Sequence, residues 1–182
     1  FVRFPDSLVG HGQNLVRPRI SEAFDWEGEL AAVIGTPGRA IQPQHALSHV
    51  AGYCCVMEGT LRDFQMQTSQ YTAGKNFWHS GACGPWLVTA DEIPDPSKLT
   101  LQTRVNGKRE QNSSLGDLVF DLPQLIAYIS SILPLAAGDV ISTGTPSGVG
   151  GFRKPPVYLR AGDVVEVEIS QIGVLRNQVI DE

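Results

Sequence analysis

At 182 residues the chain is long enough for one full hydrophobic core, and its 42% apolar and 18% charged residues are ordinary for a globular domain. No apolar run approaches the roughly 20 residues that cross a bilayer, which argues against a membrane protein. The net charge of −5 comes with no basic cluster, which argues against a nucleic-acid partner.

The opening residues Phe1-Val2-Arg3-Phe4-Pro5 carry no initiator methionine, helix cap or turn signal. They read as the middle of a protein, so a single domain over 1–182 with further N-terminal material is expected. The glycines of Val9-Gly10-His11-Gly12-Gln13-Asn14 predict a loop. Phe24 to Gly35 then reads as a buried strand, apolar from Leu30 to Ile34, yet it carries Glu27 and Glu29. Strand side chains alternate between faces, so these two acids point the same way. Like charges on a half-buried face repel and resist desolvation, and they stay ionised only beside a cation. A hard divalent ion bound through oxygen meets that need. A polar strand face left in water accounts for the pair equally well.

Thr36-Pro37-Gly38-Arg39 predicts a turn, Pro43 to His49 a short helical stretch, and Gly52 to Met57 a second buried strand that delivers Glu58 at its end. Three acids carry a formal −3; one Mg²⁺ would leave −1, with water or a chelating substrate completing an octahedron. From Arg62 to Ser80 the chain is polar and irregular, ending in Gly81-Ala82-Cys83-Gly84-Pro85. That is long for a structureless connection and marks a functional segment. Within it, Lys75 reads either as a surface lysine or as the positive charge beside an anionic substrate. Cys54, Cys55 and Cys83 are odd in number and lack zinc-site spacing, and the adjacent pair faces opposite sides of a strand. Free thiols in a reducing compartment are therefore expected. With no basic, small-residue leader, the location expected is cytoplasmic.

The second half is mostly β. Leu99 to Val105 alternates apolar and polar, and Asn106-Gly107 is a strong hairpin signal. Leu125, Ile126, Ile129 and Ile132 recur at helical spacing within Pro123 to Leu133. Ala137-Gly138-Asp139 and Ala161-Gly162-Asp163 predict turns that feed the strands Val140-Ile141-Ser142 and Val164 to Ile169. The expected fold class is mainly β with few helices.

Several ordered stretches together resemble the fumarylacetoacetate hydrolase family over essentially the whole chain. They are Asp25-Trp26-Glu27-Gly28-Glu29-Leu30, Val50-Ala51-Gly52-Tyr53, Arg62-Asp63-Phe64-Gln65, Gly74-Lys75-Asn76-Phe77, Gly84-Pro85-Trp86, Val105-Asn106-Gly107, and Gly138 through Thr143-Gly144-Thr145-Pro146 to Gly150. The resemblance implies a mixed β-sandwich roll around a metal site, assembled as a homodimer. It implies Mg²⁺, or alternatively Mn²⁺ or Ca²⁺, held by Glu27, Glu29 and Glu58. Lys75 and Gln65 would face the substrate and stabilise a developing oxyanion, Thr145 would be a substrate contact, and Arg62 with Asp63 would brace the site. His45, His49 and His79 match no catalytic position, whereas the loop of His11 lies near the site in some relatives.

Two departures stand out. The third acid lies in Met57-Glu58-Gly59-Thr60 and resembles a Glu-Gly-Ser variant of an Asn-Asp-x-Ser motif. No segment resembles the family's Gly-x-Asn-Tyr-x-x-His-x-x-Glu lid, whose His and Glu activate water. The implied substrate is a small 2-oxo acid or its enol. The expected reaction is C–C bond hydrolysis of an acylpyruvate or fumarylpyruvate. The alternatives are isomerisation, tautomerisation, decarboxylation or hydration of hydroxymuconate-type compounds, or, in another class, a non-catalytic acid-binding relative.

Overall fold

A computed structural model describes all residues, 1–182. In chain order its strands and helices are β1 (Leu8–Val9), β2 (Leu15–Arg17), β3 (Phe24–Asp25), β4 (Gly28–Ile34), β5 (Val50–Met57), β6 (Thr60–Leu61), α1 (Arg62–Gln65), α2 (Thr72–Lys75), β7 (Gly81–Thr89), β8 (Thr100–Val105), β9 (Lys108–Ser114), α3 (Leu122–Ile132), β10 (Val140–Ser142), β11 (Val164–Ile169) and β12 (Gly173–Asp181). Two five-stranded sheets form, in the orders β1-β7-β5-β4-β10 and β2-β12-β11-β8-β9, with β3-β6 as a separate ribbon. The β1–β7 and β12–β2 pairs are parallel, so both sheets are mixed. The mainly β class and the mixed roll expected from the sequence are what the chain adopts.

One core of 31 buried residues joins the two sheets, with Leu30, Ala32, Ile34, Tyr53, Cys55 and Met57 meeting Leu101, Val165, Val167, Ile169, Leu175 and Val179. These are alternate residues of their strands, as period-two packing demands. On the other face of the first sheet, Ala31, Cys54 and Val56 form a second small buried cluster. β4 is thus covered on both sides, as its apolar run implies, and the face that carries Glu29 is not left in water.

The Asn106-Gly107 hairpin joins β8 to β9 with both turn residues in the left-handed region, at φ 52 and 76, as a two-residue type I′ turn requires. The helical pattern begins one residue before the predicted Pro123, where Asp121 and Gln124 form a reciprocal capping box. Only Ile126 of the four spaced apolar residues is fully buried, and Ile132 is 62% exposed. No helix is long and apolar enough to cross a membrane.

Two expectations are corrected. The stretch from 62 to 80 is largely irregular but carries two four-residue helices, α1 and α2. The glycine-rich run from Gly81, read as its tail, is instead the first half of the nine-residue β7.

Gly59 leads from Glu58 into the ribbon and has no space for a side chain. A Cβ there would lie 2.8 Å from the Phe24 ring and would overlap the Ser80 carbonyl oxygen. Gly59→Ala is expected to cost about 1–3 kcal/mol in urea unfolding, because backbone, not a flexible side chain, must move.

Candidate active site

The three acids meet where β4 begins and β5 ends. Glu29 is the second residue of β4, whereas Glu27 and Glu58 each lie one residue outside a strand. Gly28 pairs with Met57, and the Glu58 N–H donates to the Glu27 carbonyl at 2.8 Å, so the ladder runs one rung further. Glu27 and Glu58 are therefore cross-strand neighbours. A Cβ on Gly28 would point at Thr103, Val167 and Gln111 of the second sheet, so Glu27 and Glu29 face away from that sheet, on one side as alternation predicts. All three are at least 94% buried, at 6%, 5% and 2% exposure.

Buried carboxylates need counter-charge. Lys75, at the end of α2 and 2% exposed, sets Nζ 2.6 Å from Glu27 Oε2 and 3.3 Å from Glu58 Oε2. It is no surface lysine. Arg62, opening α1, pairs through Nε with Asp25 Oδ2 at 2.8 Å and through Nη1 with Glu27 Oε1. Arg3 donates to Glu58 Oε1 at 3.0 Å, to the Gly59 carbonyl at 3.1 Å and to Ser80 Oγ at 3.0 Å. Glu29 has no such partner. Its Oε2 accepts from Ser142 Oγ at 2.6 Å and from the Gly144 N–H at 2.8 Å, both neutral donors. Burial pushes Glu29 up to about 7, and the Glu58 charge adds to that rise.

Gln65 is 7% exposed, and its Oε1 accepts from Arg62 Nη1 at 2.9 Å. That fixes the amide orientation and leaves the NH₂ end for other acceptors. Thr145 is bound into a ring. Gln111 Oε1 accepts from Gly28 N–H at 2.9 Å, Gln111 Nε2 donates to Thr145 Oγ1 at 2.8 Å, and Thr145 Oγ1 donates to the Gly28 carbonyl at 2.9 Å. The Thr145 proton is thus spent on the peptide between Glu27 and Glu29, so this hydroxyl meets any substrate only as an acceptor. Arg62 and Asp63 take separate partners: Asp63 accepts from Ser21 Oγ at 2.7 Å, while Arg62 turns inward to the buried Asp25. His11 lies outside the cluster, accepting the Arg176 N–H. The sequence reading passed over Arg3, Asp25, Gln111 and Ser142. Two of them left a signal, Arg3 as a lone cation between apolar residues and Asp25 as an acid in the same buried stretch as Glu27.

The motifs, the rung joining Glu27 to Glu58 and the buried lysine coincide with a known fold. Residues 1–180 match the C-terminal fumarylacetoacetate (FAA) hydrolase family. The chain belongs to the fumarylacetoacetate hydrolase family. A mitochondrial oxaloacetate tautomerase of Xenopus laevis is 45% identical over 182 residues, which are 99% of this chain and 57% of that protein. The fumarylacetoacetate hydrolase from psychrophilic Exiguobacterium antarcticum superposes with a TM-score of 0.94 at 42% identity, over 100% of this chain and 66% of that one. The 5-carboxymethyl-2-hydroxymuconate delta-isomerase from Mycobacterium smegmatis gives 0.91 at 33% identity, over 100% and 68%. The chain spans little more than half the length of the tautomerase. Fumarylacetoacetate hydrolase family relatives are thus enzymes of tautomerase, hydrolase and isomerase types.

In this family member the donors fit a hard divalent cation in kind: three buried carboxylates, one with an oxygen, Glu58 Oε2, that has no hydrogen bond. With Glu29 ionised, Asp25, Glu27, Glu29 and Glu58 outnumber Arg3, Arg62 and Lys75 by one; with Glu29 protonated the two sets balance. No three acid, histidine or cysteine groups are gathered tightly enough to hold an ion as they stand, and Lys75 Nζ lies within reach of both Glu27 and Glu58.

Two measurements check this electrostatic account. From the ordinary glutamate value of 4.5 up to about 7, folded Glu29 keeps a proton that the unfolded chain releases. In protein stripped of divalent ions, stability should therefore fall as pH rises through that window, by up to about 3 kcal/mol, and Glu29→Gln should flatten the slope. An equal slope in the variant would assign the effect to another group. Gln111→Leu leaves the Gly28 N–H buried and unpaired, and should cost about 1–3 kcal/mol in urea unfolding.

Proposed function

We propose that this domain handles a small 2-oxo acid through its enol, with Mg²⁺ (or Mn²⁺ or Ca²⁺) held by Glu27, Glu29 and Glu58, and that its reaction is keto–enol tautomerisation. The observation that carries the reading is Lys75, a buried ammonium bonded to one of these acids and close to a second. Enolisation moves a proton at carbon while negative charge builds on the 2-oxo oxygen. Lys75 Nζ and the NH₂ end of Gln65 are the donors for that charge, preorganised in a water-poor site where such donors act most strongly. The short Lys75–Glu27 hydrogen bond keeps a proton at hand, and Arg62 holds both Glu27 and Gln65 in place. The ion, when bound, would supply Lewis-acid polarisation of the 2-oxo group. The 45% identity to an oxaloacetate tautomerase supports tautomerisation ahead of the C–C bond hydrolysis expected from the sequence. Hydrolysis of an acylpyruvate is the second reading, supported by the 42% identity to a fumarylacetoacetate hydrolase.

The test follows decay of the oxaloacetate enol by ultraviolet absorbance, beside pyruvate release from a panel of acylpyruvates. Purified protein with Mg²⁺ should accelerate enol decay, a chelator should abolish the effect, and Lys75→Met should lower kcat by about 10²–10³-fold. Pyruvate release without enol decay would favour the hydrolase. Neither activity, or activity indifferent to chelator, would overturn the proposal.

A further inference from the structure

The sheet face that bears Glu29 also carries two cysteines. Glu29 of β4 pairs with Val56 of β5, and Val56 with Cys83 of β7, so these three side chains form one row across the sheet. Cys54 lies two residues before Val56, projects from the same face, and sits diagonally from Cys83. The two Sγ atoms are 3.3 Å apart. A bulge in the β5–β7 ladder between Tyr53 and Cys55 lies beside the pair. Cys55 points the other way, into the core, with its Sγ 3.7 Å from the Gly173 carbonyl oxygen. All three thiols are free.

We propose that Cys54 and Cys83 form a reversible oxidation site, a dithiol that hydrogen peroxide converts to a cross-strand disulfide between β5 and β7, one strand away from Glu29. The roles divide by environment. Cys54 is 4% exposed, while Cys83 is only partly covered and so is the better hydrated as a thiolate. Either thiol of the 3.3 Å pair can be the donor; with Cys83 ionised, the Cys54 S–H donates to its sulfur, and this bond, aided by the Gly84 N–H, favours the Cys83 thiolate. The same bond, together with burial, pushes Cys54 up. Cys83 is therefore the nucleophile and Cys54 the resolving thiol.

The chemistry balances with peroxide as the sole oxidant. Cys83 thiolate attacks one peroxide oxygen: an S–O bond forms, the O–O bond breaks, and hydroxide leaves and takes up a proton as water. Cys54 sulfur then attacks Cys83 sulfur: the S–S bond forms, the S–O bond breaks, and a second water departs with the Cys54 proton. Two electrons pass from the sulfurs to peroxide. From 3.3 Å, the sulfurs need to close by roughly 1.3 Å to reach bonding distance. Cys55 is an internal control, since burial pushes its thiol up to about 12 and its sulfur faces the core. The proposal holds whichever reaction the acids serve.

The experiment treats the native protein with a small molar excess of hydrogen peroxide, blocks the remaining thiols with an alkylating agent, and maps peptides by mass spectrometry without reductant. Free thiols should fall from three to one. The peptide holding Cys54 and Cys55 should be joined to the one holding Cys83, with two hydrogen atoms lost, and dithiothreitol should reverse the link. Cys55→Ser should leave the link intact. Cys54→Ser should stop at a Cys83 sulfenic acid that dimedone traps, and Cys83→Ser should abolish both. Three free thiols after peroxide, a link only between separate molecules, or a link that survives in wild type but is lost in Cys55→Ser would overturn the proposal. The wild-type map decides the matter even where a variant folds poorly.

Discussion

The rung between the Glu58 N–H and the Glu27 carbonyl is the constraint on which the site depends. It extends an ordinary antiparallel ladder by one step and in doing so sets two carboxylates side by side inside the protein. Attraction in a low-dielectric interior is strong, but desolvation is costly, and such a pair persists only if cations reach it with good geometry. Three segments far apart in sequence meet that demand: Arg3 from the N-terminal stretch, Arg62 from the start of α1, and Lys75 from the end of α2. The charges fold these segments as much as the segments position the charges. α1 and α2 have four residues each, too few to be stable alone, and their anchors are the two cations at their outer ends. Gly74 permits the approach, since a Cβ there would lie 2.5 Å from the Gln65 nitrogen. The edge-on contact of Phe64 with Phe77, at 4.9 Å between ring centres, supplies apolar packing around them.

How much of this was legible in the sequence follows from the range of each interaction. Continuous apolar runs placed β4 and β5, alternation placed β8, a turn before a Val- and Ile-rich run placed β11, and Asn106-Gly107 placed the hairpin, because apolar patterning and turn conformation are local properties. The strand at Gly81–Thr89 was hidden because its first half is rich in glycine and contains proline, residues that locally favour turns. Its pairing with β1 and β5 overrides that preference. In the site, the acids were visible as charges in an apolar run and the motifs named Lys75 and Gln65. The partners were not visible. Arg62 adjoins Asp63 in sequence yet binds Asp25, and nothing between residues 3 and 58 announces that Arg3 caps Glu58. Such pairings depend on register and on which strand ends are juxtaposed, which alternation does not encode.

The ring of Gly28, Gln111 and Thr145 shows how the second sheet contributes without carrying an acid. Gly28 is the point of contact between the sheets at the site; a side chain there would run into Thr103. Its N–H and carbonyl are both taken by side chains, so the peptide that separates Glu27 from Glu29 is held at each end. A site carried on strands and braced by hydrogen bonds of this kind keeps its geometry better than one carried on loops. The cost is that the Thr145 hydroxyl has spent its proton on the scaffold.

The charge is distributed unevenly, and that unevenness supports the enol chemistry proposed above. Glu27 and Glu58 lie in a half of the site crowded with cations, where Lys75, Arg62 and Arg3 reach them. Glu29 lies in the other half, beside Ser142 and Gly144, with no cation of its own and with its carboxyl raised by burial toward neutrality. Whatever negative charge Glu29 carries on losing its proton, at the end next to the Thr143–Pro146 loop, therefore has no cation beside it. A positive charge arriving from outside the chain gains most at that end, whereas an anionic oxygen gains most at the other. Enolisation of a 2-oxo acid needs both at once: a place that draws electron density from the oxo group and, within a few ångströms, donors that hold the proton and the growing charge. A symmetric cluster with every acid paired would offer only the second.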